Sequence, residues 1–260
     1  MKTFHYLALT MMGAALTSNV ALADTTAVKV IEYGVNAAQQ TDTARAEQTA
    51  QLQQLAPKTL PRLSREQMQQ AIAAEQTSAA KSKVGPQKIS SPTRHSYYHE
   101  FSFYDVQTYL LDDINYDGFY HSFSLNIDAD VYGAAVTESV PVYAVIYTSR
   151  NGGDWRHLHT TDVFYLQGNS AYDSYEVTTS LDSGFPTDYY DVLIDLYEVG
   201  YNDVVATISS DDVNSLYALP LQSYDRDVDS YSEEVVVSGG SLAWTPLLAL
   251  GVLAWRRRNV

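Results

Sequence analysis

The chain contains no cysteine in 260 residues, which removes disulfides, thiolate metal sites and cysteine nucleophiles together. Lysine stops at Lys88, so the remainder has no amine for Schiff-base chemistry. No P-loop, HExxH helix motif or nucleophile elbow occurs anywhere, and the usual signatures of phosphoryl transfer, zinc proteolysis and serine esterolysis are therefore missing. Cationic residues are scarce as well. Residues 96–238 hold three arginines and no lysine against 25 acids, a formal charge of −22 with histidines neutral. So acidic a surface repels phosphate, and nucleic acid is excluded as a partner.

What is present falls into unlike pieces. Residues 24–95 carry nine Lys and Arg against six Asp and Glu, many Ala and Gln, and one aromatic residue, Tyr33. Nineteen of the 21 tyrosines lie beyond them. "KVGPQKISSPTRHS" (83–96) has linker composition. Within 24–96, Ser64 and Gln67 fit a capping box and Met68, Ala71, Ile72 and Ala79 recur at helical spacing. That stripe is thin, and a stalk or linker is expected there.

Residues 97–222 read as β-sheet. From 119 to 131 every odd position except His121 is apolar, and the even positions are Tyr, Ser, Ser, Asn, Asp and Asp, the pattern of a half-buried strand. Similar runs cover 97–111, 140–150, 155–166, 172–181, 190–197, 204–209 and 216–221, separated by "NYDG", "RNGGD", "QGNS", "DSGFP" and "GYND". The expected fold is mainly β: an antiparallel β-sandwich preceded by a partly helical or disordered Ala/Gln-rich segment and followed by an acidic linker at 223–238.

Three groups invite chemistry. In "DDINYDGFYHSF" (112–123), Asp113, Asn115, Asp117 and Gly118 match the first, third, fifth and sixth positions of a calcium loop, where alternate oxygens converge on a hard cation. The twelfth position is Ser124 instead of Glu, so further Ca2+ ligands would come from Asp128 or Asp130. A plain hairpin turn uses the same residues. His157 and His159 alternate in "WRHLHT" and would share a strand face as paired metal ligands. The tyrosines of "TDYYDV" and "GFYHS" are candidates for stacking on sugar rings or for a protein interface.

The two ends read as addresses. Lys2, an apolar stretch from 6 to 16 and "ALA" ending at Ala23 have the parts of a signal peptide over 1–23, cut by signal peptidase. At the far end, "GGSLAWTPLLALGVLAWRRRNV" (239–260) places Gly239, Gly240 and Ser241 before an apolar run of fourteen residues that ends at Trp255. Fourteen helical residues span about 21 Å against a hydrocarbon layer of about 30 Å. Extending the helix back to Val235 reaches across but buries the glycines, whose low helix propensity opens the backbone to a protease. Arg256, Arg257 and Arg258 would hold the terminus on the cytoplasmic side.

"GGS", a short apolar segment and an arginine cluster resemble the GlyGly-CTERM sorting signal of Gram-negative bacteria. That resemblance covers about 22 residues. It implies processing by a rhombosortase-like intramembrane protease and, often, export by type II secretion machinery. The β region, with "DDINYDGFYHSFSLNIDADV" and "YYDVLIDLYE", is similar over roughly 98–221 to the choice-of-anchor H family. That likeness implies no established activity and supplies no catalytic residues. The expectation is an exported protein, transiently membrane-held and then displayed or released, which binds an envelope, carbohydrate or protein ligand without catalysis. A secreted hydrolase with an unrecognised site is the alternative.

Overall fold

The computed structural model describes residues 25–34, 41–82, 99–133 and 138–229. The linker at 83–96, Ala23, Gly239, Gly240, Ser241 and Arg256–Arg258 lie outside the described residues. No described helix is long and apolar enough to cross a membrane.

Two antiparallel sheets pack face to face as a β-sandwich. In chain order the strands are β1 (Thr25–Gly34), β2 (Lys58–Pro61), β3 (Glu100–Asp112), β4 (Ser122–Tyr132), β5 (Val140–Arg150), β6 (Arg156–Thr160), β7 (Phe164–Leu166), β8 (Tyr175–Ser183), β9 (Asp188–Glu198), β10 (Val204–Ser209) and β11 (Leu219–Leu221). The first sheet runs β2-β1-β8-β4-β3; the second runs β10-β9-β5-β6, with β7 added to β5 and β11 to β9. The helices are α1 (Asp42–Leu52), α2 (Arg65–Ser82) and α3 (Tyr224–Asp229). Alternation sets the core: Phe123, Leu125, Ile127 and Val177 of the first sheet meet Val142, Ile146, Ile194 and Leu196 of the second.

The expected runs at 140–150 and 204–209 coincide with β5 and β10. The run at 155–166 divides into β6 and β7, and that at 216–221 keeps only β11 after a 3-10 turn at Asn214–Leu216.

Three expectations need correction. Of residues 24–96, the described stretches 25–34 and 41–82 are not a stalk beside the sandwich but part of it. Thr25–Gly34 pairs with β8 from Ala27 to Gly34 and sits between β8 and β2 inside the first sheet. Its "TTAVKVIEYG" is half β-branched, a composition that favours strand. The linker at 223–238 begins with α3, whose Asp227 is fully buried. And β4 is buried on both faces, because its polar side chains Ser124 and Asn126 are covered by α1.

The Ala/Gln-rich helices close the two outer faces of the sandwich. On α1, Arg45, Gln48, Thr49 and Leu52 follow helical spacing and are all buried. Arg45 reaches the fully buried Glu176, which also accepts from Ser124 Oγ at 2.5 Å, and Thr178 Oγ1 donates to Gln48 at 3.0 Å. On α2, Met68 and Ile72 pack onto Val145, Tyr147, Leu193 and Tyr197 of the second sheet. The capping box is formed: Ser64 N donates to Gln67 Oε1 at 2.8 Å, and Gln67 N donates to Ser64 Oγ at 3.3 Å.

Candidate functional site

The loop from β3 to β4 carries the calcium-like residues. Asp117 N and Gly118 N donate to the Asp113 carboxylate at 3.2 and 3.0 Å, Asp117 N also donates to Asn115 Oδ1 at 2.9 Å, and Phe119 N donates to Asp117 Oδ1 at 2.8 Å. Left-handed backbone at Tyr116 (φ 60°) and Gly118 (φ 86°) turns the chain sharply enough for this. Asp113, Asn115 and Asp117 are thus brought together in one turn.

The additional ligands expected from β4 are not brought to that turn. Ser124 is buried against Glu176, while Asp128 and Asp130 lie six and eight residues beyond Ser122, about 20 and 26 Å along the strand. Among the described residues no group of three or more His, Asp or Glu is placed to hold a metal ion. The three loop residues alone fall short of the six to eight oxygens of a calcium shell.

His157 and His159 take separate partners. His157 Nε2 lies 2.9 Å from Thr160 Oγ1, and burial pushes its pKa down to about 4. His159 Nε2 bonds Glu32 Oε1, joining β6 to β1. Burial alone would raise the Glu32 carboxyl, but hydrogen bonds from His159, Tyr175 and the Asp162 N–H outweigh it and hold it below the usual range.

A further polar cluster lies where α3 meets the loop from β3 to β4. Asp227 of α3 accepts from Ile114 N at 3.0 Å and Asn115 N at 2.9 Å, docking the calcium-like loop. Its Oδ2 also faces His121 Nδ1 at 2.5 Å. Because the carboxylate is already an acceptor for two amides, the imidazole donates from Nδ1 and turns Nε2 the other way. Nε2 lies 3.7 Å from Asp112 Oδ2. A register shift between Leu110 and Asp112 marks a bulge at this end of β3, a device that re-aims a side chain. Burial pushes the Asp112 carboxyl above the usual carboxylate range, with His121 and Ser122 opposing the rise and the Asp227 charge adding to it. Tyr224 meets the His121 ring edge-on at 5.2 Å.

This cluster opens on a cavity of about 330 Å3 lined by Lys29, Leu52, His121, Ser122, Ser180 and Tyr224, among others. A groove of about 640 Å3 follows α1 past Arg45, Ala46, Ala50, Tyr109 and Leu111. The two share Thr49, Gln53 and Asp112 and form one cleft. The signals were faint but present. His121 is the one odd position of 119–131 that is not apolar, and Asp227 stood among acids assigned to a linker. The two tyrosine-bearing stretches meet at this end of the sandwich: Phe119 packs on Tyr189 at 5.6 Å, with Tyr116 and Tyr189 exposed.

No family model matches the chain, and no curated protein matches it either.

Proposed function

We propose that the chain is an exported β-sandwich protein of the choice-of-anchor H type with a non-catalytic binding role. It is cut by signal peptidase after Ala23, held briefly in the inner membrane by residues 239–260, and processed at Gly239 and Gly240 by a rhombosortase-like protease. Type II secretion then delivers it to the surface of a Gram-negative cell or to the medium. One observation supports this reading: the described elements fit between the two processing positions. β1 starts at Thr25, two residues after Ala23, and α3 ends at Asp229, ten residues before Gly239. Cleavage at both places leaves every described strand intact. Replacing Gly239 and Gly240 by Leu should give a longer, membrane-retained protein. An unchanged mature mass and location would overturn the sorting route.

The hydrolase reading rests on the orientation of His121 by Asp227 beside Ser122 and the cleft, an arrangement related to nucleophile activation. Turnover of a glycoside, ester or peptide panel by the mature protein, lost in Asp112→Asn with the fold intact, would establish it in place of the binding role.

Calcium belongs to the proposal as a weak ligand of Asp113, Asn115 and Asp117, with water completing the shell. Sites of the extracellular class bind at about 10⁻⁴–10⁻³ M, and a tenfold excess over Kd stabilises by about 1.4 kcal/mol. Calcium in that excess should raise the Tm of the wild type and leave Asp117→Ala unmoved. Equal shifts, or none, would remove the site.

A further inference from the structure

The cleft between α1, α3 and the β3–β4 hairpin holds polar groups that the fold pairs only loosely. Ser122 Oγ and Asp112 Oδ2 are buried, and beyond a loose attraction between the Asp112 and Ser122 side chains neither makes a well-formed hydrogen bond with any described residue. Leaving such groups unmatched costs about 1–3 kcal/mol each. His121 is 2 % exposed, its Nδ1 side is taken by Asp227, and the ring lines the same space. Here, then, are a carboxyl group, a hydroxyl that both donates and accepts, and an imidazole oriented by a second carboxylate.

The chemistry of the lining selects among ligands. A free anion meets Asp112 and, behind His121, Asp227. A bare metal ion lacks its ligand set, since no described group of three is placed to hold one, and Lys29 stands at the rim in an ion pair with Asp182 at 3.1 Å. A wholly apolar ligand would leave Ser122 and Asp112 as they are. A neutral molecule with several hydroxyls satisfies both: one hydroxyl donates to Asp112 and accepts from Ser122. Tyr224 flanks the cavity with an aromatic ring, 5.9 Å from Lys29 Nζ, and an aromatic face suits the C–H side of a sugar ring while its hydroxyls face the polar wall. The combined space falls within the range of small-ligand pockets, and the groove past Tyr109 and Leu111 gives room for a second unit.

We infer that this cleft is a saccharide-binding site, with one sugar unit against Asp112, His121 and Ser122 and the next along α1. The inference rests on the binding role proposed above and gives it a ligand class.

The test uses the purified mature protein and calorimetric titration with glucose, galactose, mannose and N-acetylglucosamine, and with maltose, cellobiose, lactose and chitobiose. Parallel pull-downs use amylose, cellulose, chitin and isolated envelope material. Ser122→Ala removes a hydroxyl that makes no well-formed internal bond, so the Tm should hold. Gln53→Trp fills the junction of the two chambers from an exposed position. At least one sugar should bind the wild type, and each variant should weaken it at least tenfold at unchanged Tm. A disaccharide bound more tightly than its monomer identifies the groove as the second subsite, and polymer capture without small-sugar binding would refute the enclosed site. Binding of none of the sugars, or equal binding by wild type and both variants, overturns the inference. Envelope capture that is identical in all three proteins sinks the cleft and leaves the binding role standing. No capture by the wild type sinks the binding role itself.

Discussion

The two outer faces of the sandwich are covered by helices from the same Ala/Gln-rich segment, yet they are covered by opposite chemistries. α1 lies on Ser124, Asn126, Glu176 and Thr178 through Arg45 and Gln48, so that interface is a buried hydrogen-bond network. α2 lies on Val145, Tyr147, Leu193 and Tyr197 through Met68 and Ile72, and Arg65 pairs with the fully buried Asp195. An apolar interface tolerates small displacements, whereas a polar one is stable only when each group keeps its partner. The cleft lies along the polar interface, at the C-terminal part of α1. The face that holds its helix by matched polar groups is also the face with polar groups left over for a ligand.

The sharpest way to probe this contrast is to remove the arginine from each helix. Arg65 grips Asp195 with two bonds, at 2.8 and 2.6 Å, and Thr207 is the other side chain bonded to that carboxylate. Arg65→Ala leaves a buried carboxylate nearly alone and should cost about 3–5 kcal/mol. Arg45 reaches Glu176 at 3.4 Å, and Glu176 keeps Ser124 and Asn126 as donors. Arg45→Ala should cost about 2 kcal/mol, part of it the lost contact with the Tyr109 ring at 3.4 Å. Urea denaturation of both variants measures the difference. Equal losses would mean that the polar network is no more redundant than the single pair.

Next in size are the neutral contacts. Ile72→Ala empties an apolar seat against Tyr147 and Tyr197 and should cost about 2–3 kcal/mol. Gln48→Ala removes one acceptor from Thr178 and should cost about 1 kcal/mol. A larger loss at Gln48 than at Ile72 would reverse the roles assigned to the two faces.

The same contrast explains what could be read from the sequence. The strands of 97–222 were legible because one side of each meets an apolar core and alternation records it. The α2 capping box was legible because it is local. The stripe on α2 looked too thin for a core because most of that interface is supplied by the tyrosines and aliphatics of the second sheet. The stripe on α1 was invisible to hydropathy, since three of its four buried residues are Arg45, Gln48 and Thr49. Pairing of β1 with β8 joins residues roughly 150 apart in the chain, which no local pattern encodes. The His121–Asp227 contact spans 106 positions and was hidden for the same reason.

The smallest expected effect concerns another place on the polar face where matching fails, near the end of β4. Asp128 is 9 % exposed, and its Oδ1 has no hydrogen-bond partner among the described residues. Burial pushes its pKa up to about 6, and the charges of Asp173, Asp130 and Asp105 add to the rise. The ordinary value is 3.8, so between about 3.8 and 6 the folded chain binds more protons than the unfolded one. The group's contribution is fully present below the unfolded value and is lost as pH rises through 6. His157 runs the other way: with a folded pKa of about 4 against 6.5, it supports the fold above pH 6.5 and weakens it on acidification. Asp128→Asn isolates the first effect, because the His157 contribution is common to both proteins. The variant should match the wild type near pH 3.5 and exceed it by about 1 kcal/mol at pH 7, a figure below the full linkage value because solvent reaches the rim of the site. Urea midpoints at the two pH values check this. A gain of equal size at both would assign the effect to packing, and a loss at pH 7 would show that the ionised Asp128 is matched after all.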